Sequence, residues 1–181
     1  MKKQYKYGLL LTLLISIFSL TTGCFGGLND AQKTSATYFN TLFAKSEKPS
    51  AEERYQKLIS VVSSTVEGGP ATPENKDEIM ENILKMMVNG ITKTYYIADN
   101  PKEPQSDTRR SVIVRFPKGT FNEANNALGG DSGQEEDAYI TIILNKEGEE
   151  WKIIDIQDDD TESILQQKID WLEVEPTDYL D

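Results

Sequence analysis
The chain reads as an α+β domain: three N-terminal helices packed on a curved four-stranded antiparallel sheet, followed by a short C-terminal helix. Two observations carry this. Apolar residues recur at three- and four-residue steps as far as Gly90, and from Ile91 onward they recur every second residue among β-branched and aromatic side chains. Helices first and an antiparallel meander afterwards is the pattern of α+β, with helices laid on one sheet face.

The first helix is expected from about Asn29 to Ala44, with Ala36, Phe39, Leu42 and Phe43 on one side, and Lys45 to Pro49 ends it. Ser50-Ala51-Glu52-Glu53 opens the second, because Ser50 and Glu53 can each satisfy the other's free backbone donor. Tyr55, Leu58, Ile59, Val62 and Val66 then line its inner face, and Gly68-Gly69-Pro70 breaks it. Thr72-Pro73 starts the third helix with a capping hydroxyl and a proline at the first helical position. Ile79, Met80, Ile83, Leu84, Met86 and Met87 form its buried stripe, and Gly90 terminates it.

Four strands are expected at Ile91–Ala98, Ser111–Phe116, Ala138–Leu144 and Trp151–Ile156. Asn145 to Glu150 is a hairpin connection, which makes the last two strands an antiparallel pair. The connections Asp99–Arg110 and Pro117–Asp137 are long, polar and rich in Gly, Asn, Asp and Pro, a length usually associated with function or mobility. Thr161–Leu172 reads as a short amphipathic helix with Leu165, Ile169 and Leu172 aligned, and residues 173–181 as an acidic tail. The expected organisation is therefore a leader over 1–23, a tether over 24–29, one domain over 30–172, and the tail.

Composition removes several function classes. The net charge is −11, and removing the three lysines of the first 23 residues, which hold no acid, leaves −14. Nucleic acid is bound by clustered Lys and Arg, and the only basic pairs are Lys2-Lys3 and Arg109-Arg110. The chain has no histidine, so the usual general base near neutral pH and the commonest metal ligand are missing. Its single cysteine, Cys24, has no partner for an internal disulfide.

The first 24 residues form an address. Lys2, Lys3 and Lys6 make a basic head, and Gly8–Leu20 is uncharged, the length of a signal-peptide core rather than the roughly 20 residues that span a bilayer. The run ends in Leu20-Thr21-Thr22-Gly23-Cys24. These residues resemble the bacterial lipobox, with Thr21 where leucine is commonest. The resemblance implies a diacylglycerol thioether on Cys24, cleavage ahead of it, and anchoring on the extracytoplasmic face of the cell membrane. An uncleaved leader would leave the orientation the same, since the lysines hold the head in the cytoplasm.

A second resemblance covers roughly Asp30 to Gln157. The segment ATYFNTLFAKSEKPSAEERYQKLIS, the strands after it, and the closing EEWKIIDIQ look like small lipoproteins with the nuclear transport factor 2-like cone, or a cystatin-like relative. Such folds host enzymes, ligand binders and adaptors alike, so the resemblance implies no single activity.

Candidate chemistry is sparse. Asp155 alternates with Ile154 and Ile156, so it faces either a concavity, where burial would raise its pKa and suit it to acid or base work, or solvent. Asp158-Asp159-Asp160 with Glu162, and Asp131 with Glu135, Glu136 and Asp137, are acid clusters of the kind calcium prefers. Three consecutive aspartates cannot all face one ion, however, and a solvated linker supplying a helix cap is the simpler reading. Gly129-Gly130 lacks the lysine and hydroxyl of a phosphate-binding loop. Tyr95, Tyr96, Tyr139 and Trp151 are placed either to line a pocket for an apolar ligand or to form the contact between sheet and helices. No cofactor and no metal are expected.

The sequence-based expectation is a lipid-anchored module that binds a small apolar ligand or an envelope partner protein. The alternatives are an enzyme of the cone type using a buried carboxylate, a structural envelope protein, or a leader whose Ser16–Gly23 segment is released as a signal. Replacing Cys24 by Ser is expected to abolish incorporation of labelled palmitate and to move the protein from the detergent phase to the aqueous phase on Triton X-114 partitioning. Retention in the detergent phase would show that the leader itself is the anchor.

Overall fold
A computed structural model describes residues 27–64, 75–127, 133–158, 164 and 166–180. Helix α1 (Asp30–Phe43) starts at Asn29, whose side chain accepts from the Gln32 amide while Gln32 answers on the Asn29 amide. Helix α2 (Ala51–Val61) carries the Ser50/Glu53 box read from the sequence. Helix α3 (Lys76–Asn89) ends at Gly90, as expected. The Thr72-Pro73 start, Val66 and Gly68-Gly69-Pro70 lie outside the described residues.

Gly90 is required by proximity rather than by unusual backbone angles. A Cβ there would strike the carbonyl oxygens of Phe43 and Met86 and come within 2.8 Å of the Lys45 amide. Immediately afterwards Ile91 donates to Phe43 O at 2.8 Å, and Lys45 donates to Ile91 O at 3.1 Å. The C-terminal ends of α1 and α3 are thus joined backbone to backbone, and Ile91 belongs to this junction rather than to the first strand.

The sheet has five strands in the order β4-β3-β2-β1-β5, not four. They are β1 (Tyr95–Asp99), β2 (Arg109–Phe116), β3 (Ala138–Glu147), β4 (Glu150–Asp158) and β5 (Leu172–Val174). All neighbours are antiparallel, and the β3–β4 connection is tighter than the sequence suggested, with only Gly148 and Glu149 between the strands. The fifth strand overturns the expected helix end, since Leu172 and Glu173 pair with Ile97 and Tyr96. Gln166–Trp171 form turn and irregular backbone; Thr161 and Leu165 lie outside the described residues. Nor does the chain beyond Leu172 trail away, because Val174 and Leu180 are buried.

One sheet face receives the helices. Tyr95, Ile97, Val112, Val114, Phe116, Ile142, Leu144 and Ile153 point there and pack on Phe39, Tyr55, Leu58 and Ile83. Phe39 meets Phe116 edge-on at 5.1 Å, and Tyr95 stacks on Phe116 at 5.0 Å, so rings fill the space between sheet and α1. Leu84, placed by its spacing in the buried stripe of α3, is exposed together with Val88. The stripe narrows to Ile79, Ile83 and Met86, which suffices where α3 packs at the side of α2.

Two buried polar groups tie the layers together. The Arg54 guanidinium is inaccessible and donates to five backbone carbonyls, those of Thr41, Ala44, Ser46, Lys48 and Pro49. The Tyr95 hydroxyl, also fully buried, donates to Asn40 Oδ1 at 2.8 Å. The Asn40 amide in turn donates to the carbonyls of Glu175 and Asp178.

Arg54→Met is expected to strand the buried carbonyls of Thr41 and Ala44, to release the partly buried ones of Ser46, Lys48 and Pro49, and to destabilise the domain by on the order of 3 kcal/mol. Tyr95→Phe, which strands only the Asn40 oxygen, should cost about 1–2 kcal/mol. Urea unfolding followed by circular dichroism orders the two, and an Arg54 variant as stable as the native protein would refute the role given to its donors.

Candidate functional site
The second sheet face is crossed by the chain on its way from β4, at one edge, to β5, at the other. Ile164, Ile169 and Trp171 lie over it and form a separate cluster with Ala98, Ile113 and Tyr139. Under this crossing is a cleft of about 200 Å³ lined by Arg115, Asp137, Tyr139, Ile164, Gln167, Ile169 and Trp171.

Strand register builds the floor of the cleft. Arg115 pairs across β1–β2 with Tyr96 and across β2–β3 with Tyr139, so one guanidinium stands between two tyrosines in a single row. Its carbon lies 5.2 Å from the Tyr96 ring centre, within the range of cation–π attraction. Trp171 supplies the opposite wall, its ring 6.2 Å from that of Tyr139. Arg115 Nε donates to Asp137 Oδ2 at 2.7 Å, and the Lys118 amide donates to Asp137 Oδ1 at 2.9 Å. Both carboxylate oxygens are therefore engaged, while the terminal nitrogens of Arg115 have no hydrogen-bond partner among the described residues.

The charges respond to this setting. Partial burial pushes the Asp137 carboxyl upward, but the Lys118 amide together with the hydrogen bond and charge of Arg115 outweigh it and hold the group below its ordinary value. Burial raises the Tyr139 hydroxyl, against the pull of Arg115, so it stays protonated and can donate.

The residues singled out in the sequence divide between the two faces. Tyr139 lines this cleft, and Tyr96 stands behind it against the Arg115 guanidinium. Tyr95, their neighbour in sequence, lies in the helix-facing core instead, bonded to Asn40. Trp151 is on the helix side at the far end of β4, beside Arg110 at 6.0 Å, and lines another cleft of about 310 Å³ with Asp30, Thr34, Ser60, Glu149 and Lys152. Asp155 is exposed and bonds only to its neighbours, the Ile156 amide and the Gln157 side chain. A bulge explains the placement: Ile143 faces Asp155 but Leu144 faces Ile153, so Ile153 and Ile156, three apart, share the helix face and Asp155 turns away from it.

Of the acid clusters, Asp131, Asp159, Asp160 and Glu162 lie outside the described residues, as do Gly129 and Gly130. Glu135, Glu136 and Asp158 are exposed, and among the described residues no three acids or cysteines gather as a metal site. Cys24 precedes the described residues; among these no helix is long and apolar enough to cross a membrane. Arg115 and Asp137 were not singled out as a pair by the sequence. The available signal was an arginine inside SVIVRF, an otherwise apolar strand, where a lone cation calls for a partner.

Both long connections are pinned by a glutamine. Gln105 bonds to the Ser111 amide and to the carbonyls of Asn100, Glu103 and Ser111. Gln134 bonds to the Phe121 amide and Phe116 O, fixing the loop that carries the short helix α4 (Asn122–Ala127) and delivers Asp137 to the cleft. Comparison of the chain with family models, curated proteins and solved structures finds no match.

A carboxyl held below its ordinary value contributes stability above its unfolded pKa, near 4, and loses it as pH falls through the folded value. The native protein should therefore exceed Asp137→Asn in stability at neutral pH, with the gap closing progressively below about pH 4. Paired melting curves across that range test it; a gap independent of pH would mean that the Asp137 charge contributes nothing.

Proposed function
We propose that this protein is a lipid-anchored extracytoplasmic binding module, held to the cell membrane through diacylglycerol on Cys24, which captures a small ligand in the Arg115 cleft. The observation that carries the binding reading is the cross-strand row Tyr96–Arg115–Tyr139 roofed by Trp171, which sets an unsaturated guanidinium among aromatic walls. Binding sites combine such apolar surface with a few converging polar groups. Asp137 has both oxygens occupied, which favours capture over proton transfer and supports a non-enzymatic role.

The anchoring half rests on the leader sequence alone, and the start of the fold sets how close to the membrane such an anchor would hold the domain. Leu28 is already buried, and Gly27, at φ 60°, lies so that a Cβ would sit 3.4 Å from Leu172. Two residues, Phe25 and Gly26, separate Cys24 from Gly27, three steps or at most about 11 Å of extended chain, so a lipid on Cys24 would hold the domain against the membrane surface. From the element order, three helices ahead of an antiparallel meander, we also infer kinship with the nuclear transport factor 2-like or cystatin-like folds.

Trp171 reports on the cleft once Trp151 is replaced by Phe. Titration of this single-tryptophan protein with small-molecule extracts of the cell envelope should change its emission saturably, and Tyr139→Ala should weaken the response while Asp155→Asn leaves it intact. A saturable response indifferent to Tyr139→Ala would move the binding site elsewhere.

A further inference from the structure
The donor and acceptor inventory of the cleft indicates what kind of group it receives. Each Asp137 oxygen already accepts one hydrogen bond, from Arg115 Nε or from the Lys118 amide, and its charge is paired with Arg115, so it attracts a second cation less than a free carboxylate would. Among the described residues the two terminal nitrogens of Arg115 have no partner, and they form the edge of the guanidinium that matches a carboxylate with two parallel hydrogen bonds. The Asp137 and Tyr96 contacts hold the guanidinium from one edge and one face, which lowers the ordering cost of a third contact. The volume of about 200 Å³ is somewhat larger than the roughly 150 Å³ that accommodates benzene in an engineered cavity. It leaves room for one ring and one acid group, with Ile164, Ile169 and Trp171 as apolar surface for the ring.

We propose that the Arg115 cleft binds a compact organic acid, its carboxylate on the terminal nitrogens of Arg115 and its aromatic or apolar body against Tyr139 and Trp171. This rests on the binding-module reading and adds the chemical class of the ligand. A cationic ligand is disfavoured because, among the described residues, the charged edge of the cleft without a hydrogen-bond partner is positive. A neutral apolar ligand would leave the guanidinium edge covered and unpaired, which is costly for a charged donor.

The test uses the full-length protein in non-ionic detergent and three probes of nearly equal shape: benzoate, benzyl alcohol and benzylammonium, titrated by ligand-observed NMR. Benzoate should bind about tenfold or more tightly than benzyl alcohol, the ratio that a charge-assisted pair supplies. Arg115→Gln should remove that preference, bringing the affinity for benzoate down to that for benzyl alcohol. Should Arg115→Gln fail to fold, Arg115→Lys keeps the charge without the fork and is expected to lose part of the preference. If benzyl alcohol or benzylammonium binds as tightly as benzoate, and Trp171→Ala weakens them all, the acid assignment is overturned but the cleft stands as a binding site. If no probe binds, or benzoate binds equally to Trp171→Ala, the cleft reading falls with it.

Discussion
Three parts of the chain meet at the side chain of Asn40. Its oxygen receives the Tyr95 hydroxyl from β1, and its amide reaches the carbonyls of Glu175 and Asp178 just beyond β5. All of these atoms lie at or near the core, where an unmatched polar group costs more than its hydrogen bond would return in water. The C-terminal segment therefore cannot leave β1 without stranding the amide of Asn40 in helix α1. Because β5 is fixed at the edge beyond β1 while β4 ends at the opposite edge, the chain between them must cross the sheet. The helices already occupy one face, so it crosses the other. The cleft under Trp171 is a consequence of that route.

Arg54 solves a related problem in the helical layer. A buried cation without a carboxylate is costly by itself, yet guanidinium has five N–H donors and here finds five carbonyls in the last turn of α1 and the loop after it. Those carbonyls include the unpaired ends of a helix, where the backbone dipole favours positive charge. The arginine thus completes the α1 terminus and fixes the path into α2. Helix α2 then delivers Val62 to a parallel bridge with Ile153, and Ser63 donates to Ile153 O at 2.8 Å, closing part of the outer edge of β4. Burial costs Arg54 some of its usual basicity without threatening its charge.

What could be read beforehand was what local chemistry determines. The Ser50/Glu53 box, the stop at Gly90 and the change of period after it each depend on residues close in sequence, and each is in place. The two faces of the sheet were another matter. Tyr95 and Tyr96 look equivalent in TYYIA, and only register decides that one enters the aromatic core and the other flanks Arg115. Asp155 depended on counting by twos along β4, and the bulge opposite Ile143 shifts that count. Leu172–Val174 was hidden because three residues show no periodicity of their own; they become a strand through pairing with Tyr95, Tyr96 and Ile97 some 75 positions earlier. The Arg115–Asp137 pair was hidden for the same reason, since 22 residues and a helical turn separate its members.

Charge sets a further condition on the ligand proposed. Once within a Debye length of the surface, about 8 Å at physiological salt, an approaching acid meets a domain with far more carboxylates than cations. That near-surface field repels it and slows its arrival. Within the cleft the balance differs, because Asp137 is neutralised by the very arginine that presents its free edge, and the low dielectric of the aromatic walls strengthens short-range hydrogen bonds. Such a site gains selectivity at the expense of capture rate: an acid with several charges pays the repulsion several times and recovers only one guanidinium contact. A monocarboxylate with an apolar body pays it once and adds the burial of its ring. The acidic surface and the single cleft arginine thus act together to select a small acid bearing one charge.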